Sequence, residues 1–125
     1  MNKNVLIVDD SATVRVAVKM ALKKEYEVID AKNGKDALDR IEKFYAGGNR
    51  LNLIITDINM PIMGGMEFIK EVKKNRNVKF VPILVLTTES QTNMKMEGKK
   101  AGATGWLVKP FKPEQLLDVA KKVIR

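Results

Sequence analysis

Short runs of Val, Ile and Leu alternate along the chain with longer segments whose apolar residues return at helical spacing. The runs cover residues 5–8, 28–29, 53–55, 83–86 and 106–108. Those at 5–8, 53–55 and 83–86 are nearly unbroken Val/Ile/Leu, the pattern of strands covered on both faces of a parallel sheet. Residues 28–29 lie between Glu27 and Asp30, which suits a strand at a sheet edge. Between the runs, one apolar face is kept by Val14, Val18, Ala21 and Leu22, the next by Ala37, Leu38 and Ile41, and a third by Phe68, Ile69 and Val72. After Pro113, placed to open a helix, Leu116, Leu117, Ala120, Val123 and Ile124 repeat the pattern. The weakest helix is expected over 90–101, where Met94, Met96 and Ala101 are sparse. Gly98 interrupts that segment, at about 1 kcal/mol relative to alanine. Glycines at 34, 47, 48, 64, 65, 102 and 105 punctuate the junctions. A strand followed by a helix, five times over, predicts an α/β fold: one five-stranded, doubly wound parallel sheet with helices on both faces.

Composition narrows the chemistry. The 125 residues suit a single domain spanning 1–125, and 45% hydrophobic content supports an ordinary core. With no cysteine, disulfides and thiolate metal sites are excluded, and with no histidine so are Ser-His-Asp catalysis and His-ligated zinc. The opening MNKNVLIVDDS is no signal peptide, since its apolar run meets two aspartates after four residues. No stretch approaches the roughly 20 apolar residues of a membrane span, so a cytoplasmic protein with no membrane partner is expected. Net charge is +8, and residues 90–125 hold eight basic against three acidic side chains. A solvated lysine-rich surface is the plainest account of that excess. With 6% aromatics and no basic recognition motif, no nucleic-acid partner is expected.

In an open parallel sheet, ligands bind beyond the carboxyl ends of the strands, where strand order reverses. The predicted strands end in Asp9, Asp10 and Ser11, in Thr56 and Asp57, in Thr87, Thr88 and Glu89, and in Lys109 and Pro110. Asp9, Asp10 and Asp57 crowded on one rim repel, and a cation among them relieves the repulsion. Oxygen donors alone imply a hard divalent ion, and Mg²⁺ suits one or two carboxylates plus a phosphate oxygen. Lys109 offers a compact positive charge for a developing oxyanion, and a carboxylate in Asp57's position is a competent phosphoryl nucleophile. The residues alone leave a second reading open: Asp10 or Ser11 as a helix cap, Thr87 as a satisfied turn residue and Lys109 as a surface lysine.

The fragments VLIVDDS (5–11), ITDINMPIMGGMEF (55–68), VLTTES (85–90) and AGATGWLVKPF (101–111) decide between them. In that order the chain resembles the response-regulator receiver family over its whole length, most closely the single-domain chemotaxis type. The resemblance implies the flavodoxin-like strand order 2-1-3-4-5. It implies that Asp57 is phosphorylated by a histidine kinase, with Asp10 a direct Mg²⁺ ligand, Asp9 acting through water, and the Asn59 backbone carbonyl completing the set with Asp57. Thr87 and Lys109 would bond and pair the phosphoryl group, and the Lys109–Pro110 bond would be cis. The resemblance also implies that Asn59 and Glu89, two residues past Asp57 and Thr87, tune hydrolysis of the acyl phosphate, with their polarity pointing to a short-lived signal.

Two positions depart from the family. Trp106 stands where Tyr or Phe is usual; that aromatic rotates inward on activation, and Trp is larger and needs an N–H partner when buried. Gly64 and Gly65 replace an acidic-glycine pair, read here as a freer loop costing backbone entropy. The basic excess of 90–125 falls on the family's output face, where Lys95, Lys99, Trp106 and Lys122 are expected to dock an acidic target, the flagellar motor switch in the chemotaxis reading. A phosphatase is a further expected partner, and the chain is expected to be a monomer with no output domain. Met1, three residues before the first strand, favours a natural short protein. The alternatives are an excised receiver of a longer regulator and, in a different class, an aspartyl-phosphate phosphatase or phosphotransferase turning over on Asp57. In the leading reading the chain is no enzyme beyond its own phosphorylation and dephosphorylation.

Overall fold

The computed structural model describes residues 3–88 and 101–124. Strands β1 (Lys3–Val8), β2 (Tyr26–Ala31), β3 (Leu53–Asp57), β4 (Ile83–Thr87) and β5 (Gly105–Val108) form one parallel sheet in the order β2-β1-β3-β4-β5. Helices α1 (Ala12–Leu22), α2 (Gly34–Ala46), α3 (Gly65–Lys74) and α4 (Pro113–Val123) flank it. The helix expected over 90–101 falls, apart from Ala101, outside the described residues.

Strand parity assigns the layers. Leu6, Val8, Ile54, Ile83 and Val85 point to the face covered by Ala37 and Ile41 of α2 and Phe68, Ile69 and Val72 of α3. Val5, Ile7, Leu53, Ile55, Leu84 and Leu86 point to the other, covered by Val18 and Leu22 of α1 and Leu116 and Ala120 of α4. Covered on both sides, β1, β3 and β4 have no solvent face, which is why their sequences read as continuous apolar runs. β2 pairs only with β1 and so tolerates Glu27 and Asp30. It extends further than its apolar pair suggests, because main-chain pairing with β1 runs from Tyr26 to Ala31.

Local signals set the helix starts. Ser11 caps α1, its hydroxyl accepting from Val14 N–H at 3.3 Å, and Asn33 caps α2, accepting from Asp36 N–H at 2.8 Å. Pro113 opens α4, with the Gln115 side chain accepting from Lys112 N–H at 3.0 Å. Phe68 is fully buried and anchors α3 to the sheet. Truncating it to alanine would cost about 3–5 kcal/mol and loosen the loop that carries the end of β3. Among the described residues, no helix is long and apolar enough to cross a membrane.

Candidate phosphoacceptor site

The sheet order puts the reversal point between β1 and β3, and their carboxyl ends carry the acidic residues. Asp9 follows β1 with its N–H bonded to the Ala31 carbonyl at 3.1 Å, and is 1% exposed. Its Oδ1 accepts from Ser11 N–H at 2.9 Å and its Oδ2 lies 2.9 Å from Lys109 Nζ. Asp57 ends β3, half-buried, its Oδ1 accepting from Ile58 N–H at 2.8 Å and standing 3.5 Å from Lys109 Nζ. Asp10 is exposed, yet its carboxylate joins the other two: ligand atoms of Asp9, Asp10 and Asp57 lie within 4.8 Å of one another.

One ammonium therefore bridges two carboxylates, and it sits closer to Asp9 than to Asp57. Burial first, and the neighbouring Asp9 charge second, push the Asp57 carboxyl above its ordinary range. Lys109 and the Ile58 N–H pull the other way without cancelling them. Three carboxylates held against one ammonium make a site with an excess of negative charge and only oxygen donors. That donor set fits a hard divalent cation.

Lys109 is fixed from behind. Its backbone N–H bonds the Thr87 carbonyl at 2.6 Å, and the Lys109–Pro110 peptide is cis. Thr87 ends β4 and is buried at the same rim, paired in register with Val108 of β5. Asn59 is exposed in the loop after β3. In that loop Ile62 is 78% exposed with φ 71°, a left-handed conformation unfavourable for a β-branched residue, and Met63 N–H closes onto the Pro61 carbonyl at 2.8 Å. Trp106, opposite Val85 in β5, packs against the core on the α2–α3 side. Its indole N–H is buried and has no partner among the described residues. Lys122 lines a depression at the opposite, amino-terminal edge of the sheet. Lys95, Lys99 and Glu89 lie outside the described residues.

At two residues the structure goes beyond the sequence pattern. Arg15 donates from its Nη1 to the Asp9 carbonyl at 2.7 Å and from its Nε to Asp30 Oδ2 at 3.0 Å, tying the acidic pair to the edge strand. Gly65, expected only to loosen a loop, does the reverse. A Cβ there would overlap the Asp57 carbonyl oxygen and lie 2.8 Å from Ile58 Cα. The first turn of α3 is packed directly on the backbone of the acceptor residue, its Gly65 N–H bonding the Ile58 carbonyl at 2.8 Å.

A five-stranded 2-1-3-4-5 sheet with an Asp-rich carboxyl rim bridged by a lysine defines a class of protein. The response regulator receiver domain profile matches residues 5–121, and the chain belongs to that family. Within the family it is CheY-like. It is 37% identical over 126 residues to the chemotaxis protein CheY of Thermotoga maritima, covering 98% of this chain and 98% of that protein. To a CheY homolog of Campylobacter jejuni it is 34% identical over 121 residues, 95% of this chain and 90% of the other. The structure of CheY4 of Vibrio cholerae superposes with a TM-score of 0.91 at 46% identity, covering 99% of this chain and 100% of that one.

Proposed function

We propose that the chain is a phosphorylation-controlled signalling module that takes a phosphoryl group on Asp57 from the phosphohistidine of a histidine kinase and signals through altered partner binding. The observation that carries this reading is the Asp57 carboxylate set beside Asp9 and Asp10 and within 3.5 Å of the Lys109 ammonium. Its Oδ1 is held by the Ile58 N–H, so Oδ2 is the attacking oxygen. In the transfer the Oδ2–P bond forms as the donor's N–P bond breaks, and the leaving imidazole nitrogen takes up a proton. Mg²⁺, held by Asp9 (through water), Asp10, Asp57 and the Asn59 carbonyl, would neutralise the phosphoryl oxygens and supply the charge stabilisation such a transfer needs. Lys109 turns from Asp9 and Asp57 to the new phosphoryl oxygens, and the Thr87 hydroxyl donates to another. Arg15 and Ser11 keep Asp9 in place while its ammonium partner moves.

The particular pathway is chemotaxis, with flagellar motor control as its output, because CheY relatives match this chain over nearly their whole length. A second reading rests on a different relative: the chain is 35% identical over 120 residues to Histidine kinase P4 of Formosa agariphila, a match covering 8% of that protein. A receiver of this kind inside a longer regulator would use the same site chemistry with a different output.

The test follows the fluorescence of Trp106, the only tryptophan, while Mg²⁺ and a small acyl-phosphate donor are added to wild type and to Asp57→Asn. The proposal expects a change in wild type that is absent from the variant. A response surviving in Asp57→Asn removes Asp57 as acceptor, and silence in a wild type shown to be phosphorylated removes Trp106 from the relay.

A further inference from the structure

At the end of the sheet away from the acidic rim lies a depression of about 670 Å³, lined by residues that precede β3, β4 and β5 and by the last turn of α4. Its size falls in the range of small-ligand sites, roughly 300–1,000 Å³. Arg50, Lys73, Arg76 and Lys122 all line it, and among the described residues no carboxylate does. Lys73 and Lys122 lie in the last turns of α3 and α4, where they also offset the partial negative charge of the helix ends. Arg50 and Arg76 lie in connections, beyond that explanation, and both are exposed. None of the four has a carboxylate partner among the described residues.

One side of the wall is apolar, formed by Phe80, Val81 and Pro82. Phe80 is 87% exposed, an unusual state for a side chain of that area, and Lys79 Nζ sits 5.1 Å from its ring centroid. Lys73 Nζ donates to the Lys79 carbonyl at 3.1 Å, which ties the cationic floor to the aromatic rim. Thr104 accepts from Ile83 N–H at 3.2 Å, and Asn52 Oδ1 accepts from Asn4 N–H at 2.9 Å, which leaves the Asn52 amide N–H groups to donate elsewhere.

We propose that this depression binds a nucleoside phosphate, with Arg50, Arg76 and Lys122 on the phosphates and Phe80 as the platform for the base. Guanidinium groups match phosphate oxygens in bidentate geometry, and the four cations gathered in this concavity have no carboxylate partner among the described residues. An exposed aromatic ring stacks a base regardless of its identity. Burial pushes the Lys73 ammonium below its ordinary range, and a bound phosphate would restore it. The site is remote from Asp57 and independent of the phosphoacceptor reading.

Isothermal titration and amide-shift mapping would use ATP, adenosine and inorganic triphosphate in EDTA at fixed ionic strength, so that no metal draws nucleotide to the acidic rim. ATP should bind tighter than about 1 mM and shift the amides of Val81, Thr104 and Lys122. Affinity should fall roughly tenfold or more in the double variant Arg50→Ala/Arg76→Ala and severalfold in Phe80→Ala. These exposed positions leave the core untouched, and Asp57→Asn should bind ATP as wild type does. No binding at millimolar ATP, unchanged affinity in the double variant, or inorganic triphosphate binding as tightly as ATP would each overturn the proposal.

Discussion

Gly65→Ala tests whether α3 is seated on the acceptor residue's backbone. The new methyl overlaps the Asp57 carbonyl oxygen and sits 2.8 Å from Ile58 Cα. Carbon atoms pack at about 3.5 Å or more, so a separation of about 0.7 Å is needed against Ile58 alone. Both neighbours are backbone and cannot rotate away, so either α3 lifts or the end of β3 moves. Lifting stretches the 2.8 Å bond from Gly65 N–H to the Ile58 carbonyl, worth about 1 kcal/mol. Overpacking adds about 1–3 kcal/mol, while alanine returns up to about 1 kcal/mol of helix propensity. The net is a loss of about 2 kcal/mol, near 8 °C in Tm for a domain of this size. Urea denaturation should show a lower midpoint at unchanged slope, together with slower phosphorylation of Asp57. Gly47→Ala is the control: its added carbon would meet Asn49 Nδ2 at an ordinary 3.5 Å with φ −80°, and stability should stay within about 0.5 kcal/mol. A Gly65→Ala protein as stable as Gly47→Ala would refute the close seating.

Lys109→Ala leaves the Asp9 carboxylate, 1% exposed, without its cation at 2.9 Å. Breaking a buried pair costs up to about 3–5 kcal/mol, less here because Lys109 and Asp57 keep some solvent. Urea titration in EDTA should show about 2 kcal/mol lost, with part recovered on adding Mg²⁺; equal stability in EDTA would contradict the bridge. At Asp30, burial opposes ionisation, but the Lys19 and then the Arg15 contacts outweigh it and hold the carboxyl below its ordinary range. A depressed carboxylate stabilises at pH above the unfolded value of about 3.9, and that contribution is lost as pH falls through the folded value. The stability gap between wild type and Asp30→Asn should therefore be constant near neutrality and shrink below about pH 4; a gap widening in acid would be the wrong sign. Trp106→Phe removes a buried indole N–H that has no partner among the described residues, and since leaving such a group unpaired costs about 1–3 kcal/mol, the variant should lie within about 1 kcal/mol of wild type. A loss of full core-truncation size in thermal melts would show that the N–H is satisfied after all.

The parts of the fold legible in sequence are those where one physical cause writes the pattern. Residues 5–8, 53–55 and 83–86 are fully buried, and burial on two faces leaves no room for polar residues. The edge strand was visible only as Val28 and Ile29, because its pairing from Tyr26 to Ala31 is a main-chain property that side chains do not announce. Asp9, Asp10, Asp57 and Lys109 were legible because strand ends in a parallel sheet converge whatever lies between. Arg15 was not, since its reach to the Asp9 carbonyl and Asp30 depends on the register that sets Ile7 opposite Asp30. Gly65 was misread because an absent Cβ looks the same in sequence whether it frees a loop or admits a close neighbour. Lys122 is grouped with Trp106 by the output face of the receiver family; a second neighbourhood, the depression it lines with Arg50, Lys73 and Arg76, depends on how α4 packs and is not written in the sequence.

Where a phosphoryl group lands on the chain decides the role of Asp57. Wild-type protein incubated with a small phosphodonor and Mg²⁺ would be reduced with borohydride, which converts an aspartyl phosphate to homoserine, and its peptides mapped by mass spectrometry. One modified residue is expected, Asp57, lost in Asp57→Asn and suppressed by EDTA. Modification at Asp9 or Asp10, or at no aspartate while the donor is consumed, would contradict it.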